Sequence, residues 1–255
     1  MTNILDSPLL VFFVSLLALA IAARAGGLFS GALRDAPDEA RSAFGIIEGA
    51  TLTLLGLIVA FTFSMALNRY DQRKNFEEEE ANAIGTAYFR VDLLPGLDVA
   101  QVRGLLRSYL HERILFYTTA EGRELDEINA RTAQLQTELW SAVRPQAMAQ
   151  PTQIAALVVQ SMNDVFNSQG YTQAAWWNRI PAAGWLLMAA IAIWTNVLVG
   201  YGTVGAWGGR GMLLFLPFAI AIAFALIADI DAPRGGGIRV APLNLLTLSR
   251  SLGPQ

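Results

Sequence analysis

The sequence predicts an all-α membrane protein: four transmembrane helices, a cytoplasmic helical domain between the second and third, and a second helix that runs on unbroken past the bilayer. Three observations predict it. Of 255 residues, 54% are hydrophobic and only 15% charged, against about 25% charged in an average soluble domain. The apolar residues are gathered into four runs: Pro8–Ala23, about Gly45–Leu67, Pro181–Tyr201 and Met212–Ala228. Between the second and third runs lies a long polar stretch whose apolar residues recur at helical spacing, with no strand alternation.

A hydrocarbon core needs about 20 helical residues, with about 17 tolerated. The second and third runs meet this comfortably, and the first and fourth are short. Asp6 and Ser7 ahead of Pro8 read as an N-cap followed by a first-turn proline. The small residues of ALAIAARA would suit signal cleavage, but the preceding MTNILD has no Lys or Arg, so this helix is expected to remain. Residues 42–94 carry only isolated glycines and no proline, which predicts one helix continuing out of the second span. In the polar stretch, breaks at Pro95-Gly96, Gly122, Pro145, Pro151 and Gly170 predict about four helices. After Asp98, the residues Val99, Val102, Leu105, Leu106, Tyr109 and Leu110 share one face, an amphipathic helix that needs a partner. Trp176 and Trp177, just before the third span, suit the headgroup level.

The expected division is therefore a membrane region over 1–69, a cytoplasmic helical domain over 70–180, the third and fourth spans over 181–229 and a cytoplasmic tail over 230–255. On the side of the termini and middle domain lie Arg69, Arg73, Lys74, Arg179, Arg234, Arg239 and Arg250; the other side has Arg24, Arg34, Arg41 and Arg210. By the positive-inside rule this bias places the termini and the middle domain in the cytoplasm.

The composition also excludes functions. Without cysteine there is no disulfide, thiolate metal site, iron–sulfur cluster or cysteine nucleophile. The one histidine, His111, is expected to be structural or on the surface. No Lys/Arg block provides a footprint for nucleic acid. The spans lack His, Lys and paired carboxylates, which leaves Glu48 as their only candidate base, so no enzyme is expected.

The second helix is the most informative element. At 100° per residue, Glu48, Thr51, Leu55, Val59, Thr62, Ala66, Arg69, Arg73, Glu77 and Glu80 fall in one narrow sector. Ile46, Leu57 and Phe61 lie opposite, where lipid or a neighbouring helix would suit them. Two readings of the stripe stand side by side. One is pore lining by Glu48, Thr51, Leu55, Val59, Thr62 and Ala66, with Arg69, Arg73, Glu77 and Glu80 forming a cytoplasmic pore or ring that attracts cations. The other is a helix–helix seam, with Thr side chains and Gly56 allowing close packing and Glu77 to Glu80 as a solvated face. Asp229 and Asp231 after the fourth span, with Arg234 nearby, read either as a cap and turn or as a cation or gating contact, the second making a divalent cation the candidate cofactor.

The segment GLIVAFTFSMALNRYDQRKNFEEEEANAIGTAYFRVDLLP, with the later ADIDAPRGGGIRV, resembles the bestrophin-like domain family of bacterial, plant and archaeal membrane proteins. The residues carrying the resemblance are Gly56, Ala60, Phe61, Arg69, Asp71, Arg73, Glu80, Ala81, Asn82, Ile84, Gly85, Arg90, Leu93, Leu94 and Pro95, then Asp229, Asp231, Pro233, Arg234 and Gly236 or Gly237. The resemblance implies kinship with bestrophins, homo-oligomeric anion channels with four spans per subunit, a pore-lining second helix and an acidic calcium cluster after the last span. It also implies self-association, small ions and membrane lipid as partners, and a bacterial inner-membrane location. The chain departs from bestrophins at the neck, which they line with phenylalanine and isoleucine, whereas the stripe here has Leu55, Val59 and Thr62, with Phe61 and Phe63 off its centre. The expected function is an ion channel of undetermined selectivity, with a membrane-anchored signalling or scaffold protein as the alternative.

Overall fold

The computed structural model describes residues 4–30, 33, 36–203 and 209–253. Arg34 lies outside these, as does the side chain of Arg210. Among the described residues there are helices and turns but no strand. After a short 3-10 turn at Ile4–Asp6 come α1 (Pro8–Leu28), α2 (Asp38–Arg90), a second 3-10 turn (Val91–Leu93), α3 (Val99–Thr118), α4 (Arg123–Ala149), α5 (Gln153–Trp177), α6 (Ala182–Gly202), α7 (Gly209–Asp231) and α8 (Leu243–Ser251).

Four helical stretches are long and apolar enough to cross a membrane, in α1, α2, α6 and α7. The first is not short after all: α1 continues through Arg24 to Leu28, giving 21 residues. Its start follows the sequence signal, with Ser7 as the N-cap accepting from the Leu10 amide at 3.4 Å and Pro8 in the first turn. The long second helix is continuous over 53 residues.

The chain divides into two compact units, residues 1–69 with 179–239, and 70–178 with 240–255. The tail expected as one piece over 230–255 is thus split between them. In the first unit, α1 packs against both α6 and α7. The approach to α6 is close because a glycine sits on each side. A Cβ on Gly26 would run into the Val197 carbonyl, and one on Gly200 into the Ala23 carbonyl. Small residues at such crossings let backbones meet, and dispersion and fit then hold helices that lipid would solvate equally well.

The second unit has the larger core. Ile84 and Tyr88 of α2, Val102, Leu106, Tyr109, Leu110 and Phe116 of α3, Leu135, Leu139 and Val143 of α4, and Val158, Met162 and Val165 of α5 are buried together. The amphipathic face expected after Asp98 supplies the α3 part, and Asp98 is its N-cap, accepting from the Gln101 amide at 3.0 Å. Two of the expected breaks are absent. Pro145 lies inside α4 near its end, where the missing N–H costs one hydrogen bond of the last turns. Gly170 lies inside α5, flanked by buried Ser168 and Thr172, so packing outweighs the roughly 1 kcal/mol propensity loss. Trp176 does not present its ring to a headgroup layer: it is buried against Phe116 and Tyr117, with ring centroids 5.0 and 5.4 Å away. Trp177 is 75% exposed.

Candidate functional site

Burial within one protomer counts any surface facing a pore or another copy as exposed, so it discriminates between the two readings of the α2 stripe. Leu55, Thr62 and Ala66 are 4%, 7% and 0% exposed. A residue enclosed by its own chain cannot border a water path in an assembly of such protomers. Burial of Leu55, Thr62 and Ala66 by their own chain therefore favours the packing seam over pore lining at these three positions. Glu48, Thr51 and Val59 lie half-buried along its edges. The threonine hydroxyls are satisfied within the helix: Thr51 donates to the Ile47 carbonyl and Thr62 to that of Ile58, both at 2.8 Å. Glu48 sits beside Gly202 at the end of α6, where a Cβ would stand 3.2 Å from its Oε2. The accessible face of the span is the opposite one, with Ile46, Thr53, Leu57, Ala60, Phe61, Ser64 and Asn68 all exposed.

The charged continuation of the stripe also turns inward, within the second unit. Arg73, Glu77 and Glu80 are 1%, 1% and 0% exposed, so they do not form a water-facing ring; only Glu78 and Glu79 of the acidic run are exposed. The i, i+4, i+7 spacing puts the three on one helix face, and each closes a different part of the unit. Arg73 donates from Nε to the Ala175 carbonyl at 3.3 Å and from a terminal nitrogen to that of Asn178 at 3.4 Å, meeting the carbonyls left open at the end of α5. Glu77 does the reverse for α8, whose own N-cap position is Pro242 and has no side-chain cap. Its carboxylate accepts from the Asn244 and Leu245 amides, both at 2.9 Å, and from the Asn244 side chain at 2.6 Å.

Glu80 accepts from Arg113 Nε, from the Thr172 hydroxyl at 3.2 Å and from the Tyr117 hydroxyl at 3.4 Å. Both members of this ion pair are fully buried. Burial alone would lower the pKa of the Arg113 guanidinium; the Glu80 carboxylate beside it more than reverses this and holds it above its ordinary value. Burial, reinforced by the charge of Glu80, pushes the Tyr109 and Tyr117 phenols far up, so both stay neutral. The guanidinium of Arg113 also lies 4.3 Å from the centre of the Phe116 ring.

Of the remaining stripe residues, Arg69 is half-buried, with a terminal nitrogen 3.6 Å from Met65 Sδ.

In the first unit, the two carboxylates after α7 diverge. Asp229 accepts from the Gly237 amide, and from that of Ile238 at 3.2 Å. This fold-back needs Gly236, whose Cβ would overlap the Asp229 carboxylate. Asp231 is buried and accepts from the Ile180 amide at 3.1 Å, and its Oδ2 lies 3.7 Å from Arg179 Nε. Arg179 also pairs with Asp6. Asp231 thus has Arg179 beside it, a partner the sequence does not suggest. The two carboxylates are thus drawn to separate backbone amides. Among the described residues no group of three or more Asp, Glu or His side chains is placed to hold a metal.

Known proteins agree with this architecture. The family model of the bestrophin-like domain matches residues 10–245. A solved bacterial bestrophin homologue from Klebsiella pneumoniae is similar in fold, with a TM-score of 0.66 at 15% identity over 96% of each chain. A single-site variant of that homologue gives 0.66 at 15% identity, covering 99% of this chain and 97% of its own. No curated protein matches the chain. With the family model spanning nearly all of its described residues, the chain belongs to the bestrophin-like domain family of membrane proteins.

Proposed function

We propose that the chain assembles as a homo-oligomer into an ion channel whose path is lined by the accessible face of α2. The observation that carries this reading is the division of α2 into two faces. One is consumed by the protomer's own packing at Leu55, Thr62 and Ala66, and the other is exposed along its length through the span. On that face Ile46, Leu57 and Phe61 are apolar, with Leu57 50% and Phe61 65% exposed, and Ser64 and Asn68 are polar. Repeated around a symmetry axis, such a face makes a hydrophobic constriction opening into a hydrated vestibule, a geometry that gates ions by wetting and dewetting. It also supplies isoleucine and phenylalanine, at Ile46 and Phe61, the residue types that line a bestrophin neck and that the stripe from Glu48 to Ala66 lacks.

Family membership supports the oligomer and the ions as partners. The Arg and Lys surplus at Arg69, Arg73, Lys74, Arg179, Arg234, Arg239 and Arg250 supports a cytoplasmic position for the polar unit and the termini in a bacterial inner membrane.

Current across planar bilayers holding the reconstituted protein tests the proposal. Discrete openings whose reversal potential follows an imposed salt gradient are expected. No current from well-folded oligomer across voltages, pH values and salt compositions would overturn it and favour a membrane-anchored scaffold.

A further inference from the structure

The second unit contains a cavity of about 380 Å³ between α3 and the end of α8. Arg107, His111, Ser249 and Arg250 supply its polar lining, with Leu110 and Leu252 among its apolar walls. No carboxylate among the described residues lines it, and two guanidiniums share a small space. Arg107 is held in place rather than free to swing: one terminal nitrogen donates to the Tyr88 hydroxyl and the Leu252 carbonyl, both at 2.8 Å, and its guanidinium lies 5.5 Å from the centre of the Tyr88 ring. Its Nε is buried without a hydrogen-bond partner. A preorganised guanidinium is the group best matched to a phosphate or carboxylate.

We propose that this cavity is a binding site for a small soluble phosphate monoester. Arg107 and Arg250 neutralise a dianion, the Ser249 hydroxyl and His111 imidazole hydrogen-bond its oxygens, and Leu110 and Leu252 cover a short organic group. The volume is near the lower end of the roughly 300–1,000 Å³ range of ligand sites, which favours a compact monoester over a nucleotide. The site belongs to the chain whether or not α2 conducts ions.

Glycerol 3-phosphate titrated calorimetrically into the full chain in detergent tests this, with glycerol as the uncharged control. Saturable binding of one molecule per chain is expected, with a raised midpoint of thermal unfolding and no binding of glycerol. His111 and Arg250 are exposed, so His111→Gln and Arg250→Gln should fold normally and each weaken binding by about tenfold or more, the loss of one hydrogen bond to a charged group. No saturable binding up to about 1 mM, or unchanged affinity in both variants, would overturn the proposal.

Discussion

Replacing Glu80 by Gln removes the charge from a fully enclosed ion pair while keeping the shape of the side chain. Arg113 would then be a buried cation with no counter-charge, and its two terminal nitrogens already lack hydrogen-bond partners. Removing one member of a buried pair typically costs about 3–5 kcal/mol. For a chain of this size about 1 kcal/mol moves the midpoint by ~2–4 °C, so a fall of ~6–20 °C is expected. Adding Arg113→Met to Glu80→Gln removes the stranded cation and its unmet donors, while the new amide oxygen still accepts from Tyr117 and Thr172. The double variant should recover at least half of the loss. The assay is tryptophan fluorescence on heating in detergent at one scan rate, since irreversible unfolding makes midpoints depend on scan rate and only matched apparent midpoints compare. A shift below about 2 °C for Glu80→Gln, or a double variant worse than the single one, would refute the assignment of this pair as the buried electrostatic centre of the unit.

Glu77→Ala takes away the external cap of α8, so amide exchange at 244–252 should rise well above that of α3 and α5; equal protection would mean that α8 holds itself. Gly200→Ala forces a methyl into the Ala23 backbone and should cost about 1–3 kcal/mol, whereas Gly170→Ala, with nothing within 4 Å of the new methyl, should gain about 0.5–1 kcal/mol of helix propensity; paired thermal midpoints check the opposite signs. Tyr109 and Tyr117 keep their protons in the folded chain at a pH where unfolded tyrosine loses them. Their contribution is therefore complete below about pH 10 and declines as pH rises above it. Thermal midpoints should fall with a slope above that pH which the Tyr109→Phe, Tyr117→Phe double variant flattens; an unchanged slope would count against these two phenols.

The spans, the unbroken α2 and the family can be read from the sequence because each is written in local pattern: hydropathy, an absence of breakers, and a run of specific residues around Glu80. The sector from Glu48 to Glu80 is likewise legible as one face. Its direction is not, because helical periodicity gives the angle between residues but not what lies across from them. Glu77 and Glu80 look like part of a solvated acidic run until α8 and Arg113, distant in sequence, supply their partners. Arg179 reads in the sequence only as a positive charge near the membrane, and its pairing with Asp6 and proximity to Asp231 depend on bringing together three separate segments. Gly200, a small residue inside an apolar run, carries a legible signal that a search for polar stripes passes over, whereas its counterpart Gly26 lies past the end of the first run, beyond Arg24. The cavity beside Arg107 has a fainter one: Arg103, Arg107 and His111 recur every fourth residue, but Arg250 enters only through the fold.

Whether the accessible face of α2 lines an ion path can be read by cysteine accessibility, in a chain that has no cysteine of its own. Ser64→Cys and Ala66→Cys are placed singly in the reconstituted protein, and current is recorded while a charged thiol reagent is applied. Reagent is expected to alter current through Ser64→Cys promptly and to leave Ala66→Cys unaffected, because Ser64 is exposed and Ala66 is enclosed by its own chain. Modification at Ala66→Cys with Ser64→Cys silent would contradict it and return the pore to the stripe through Leu55 and Thr62.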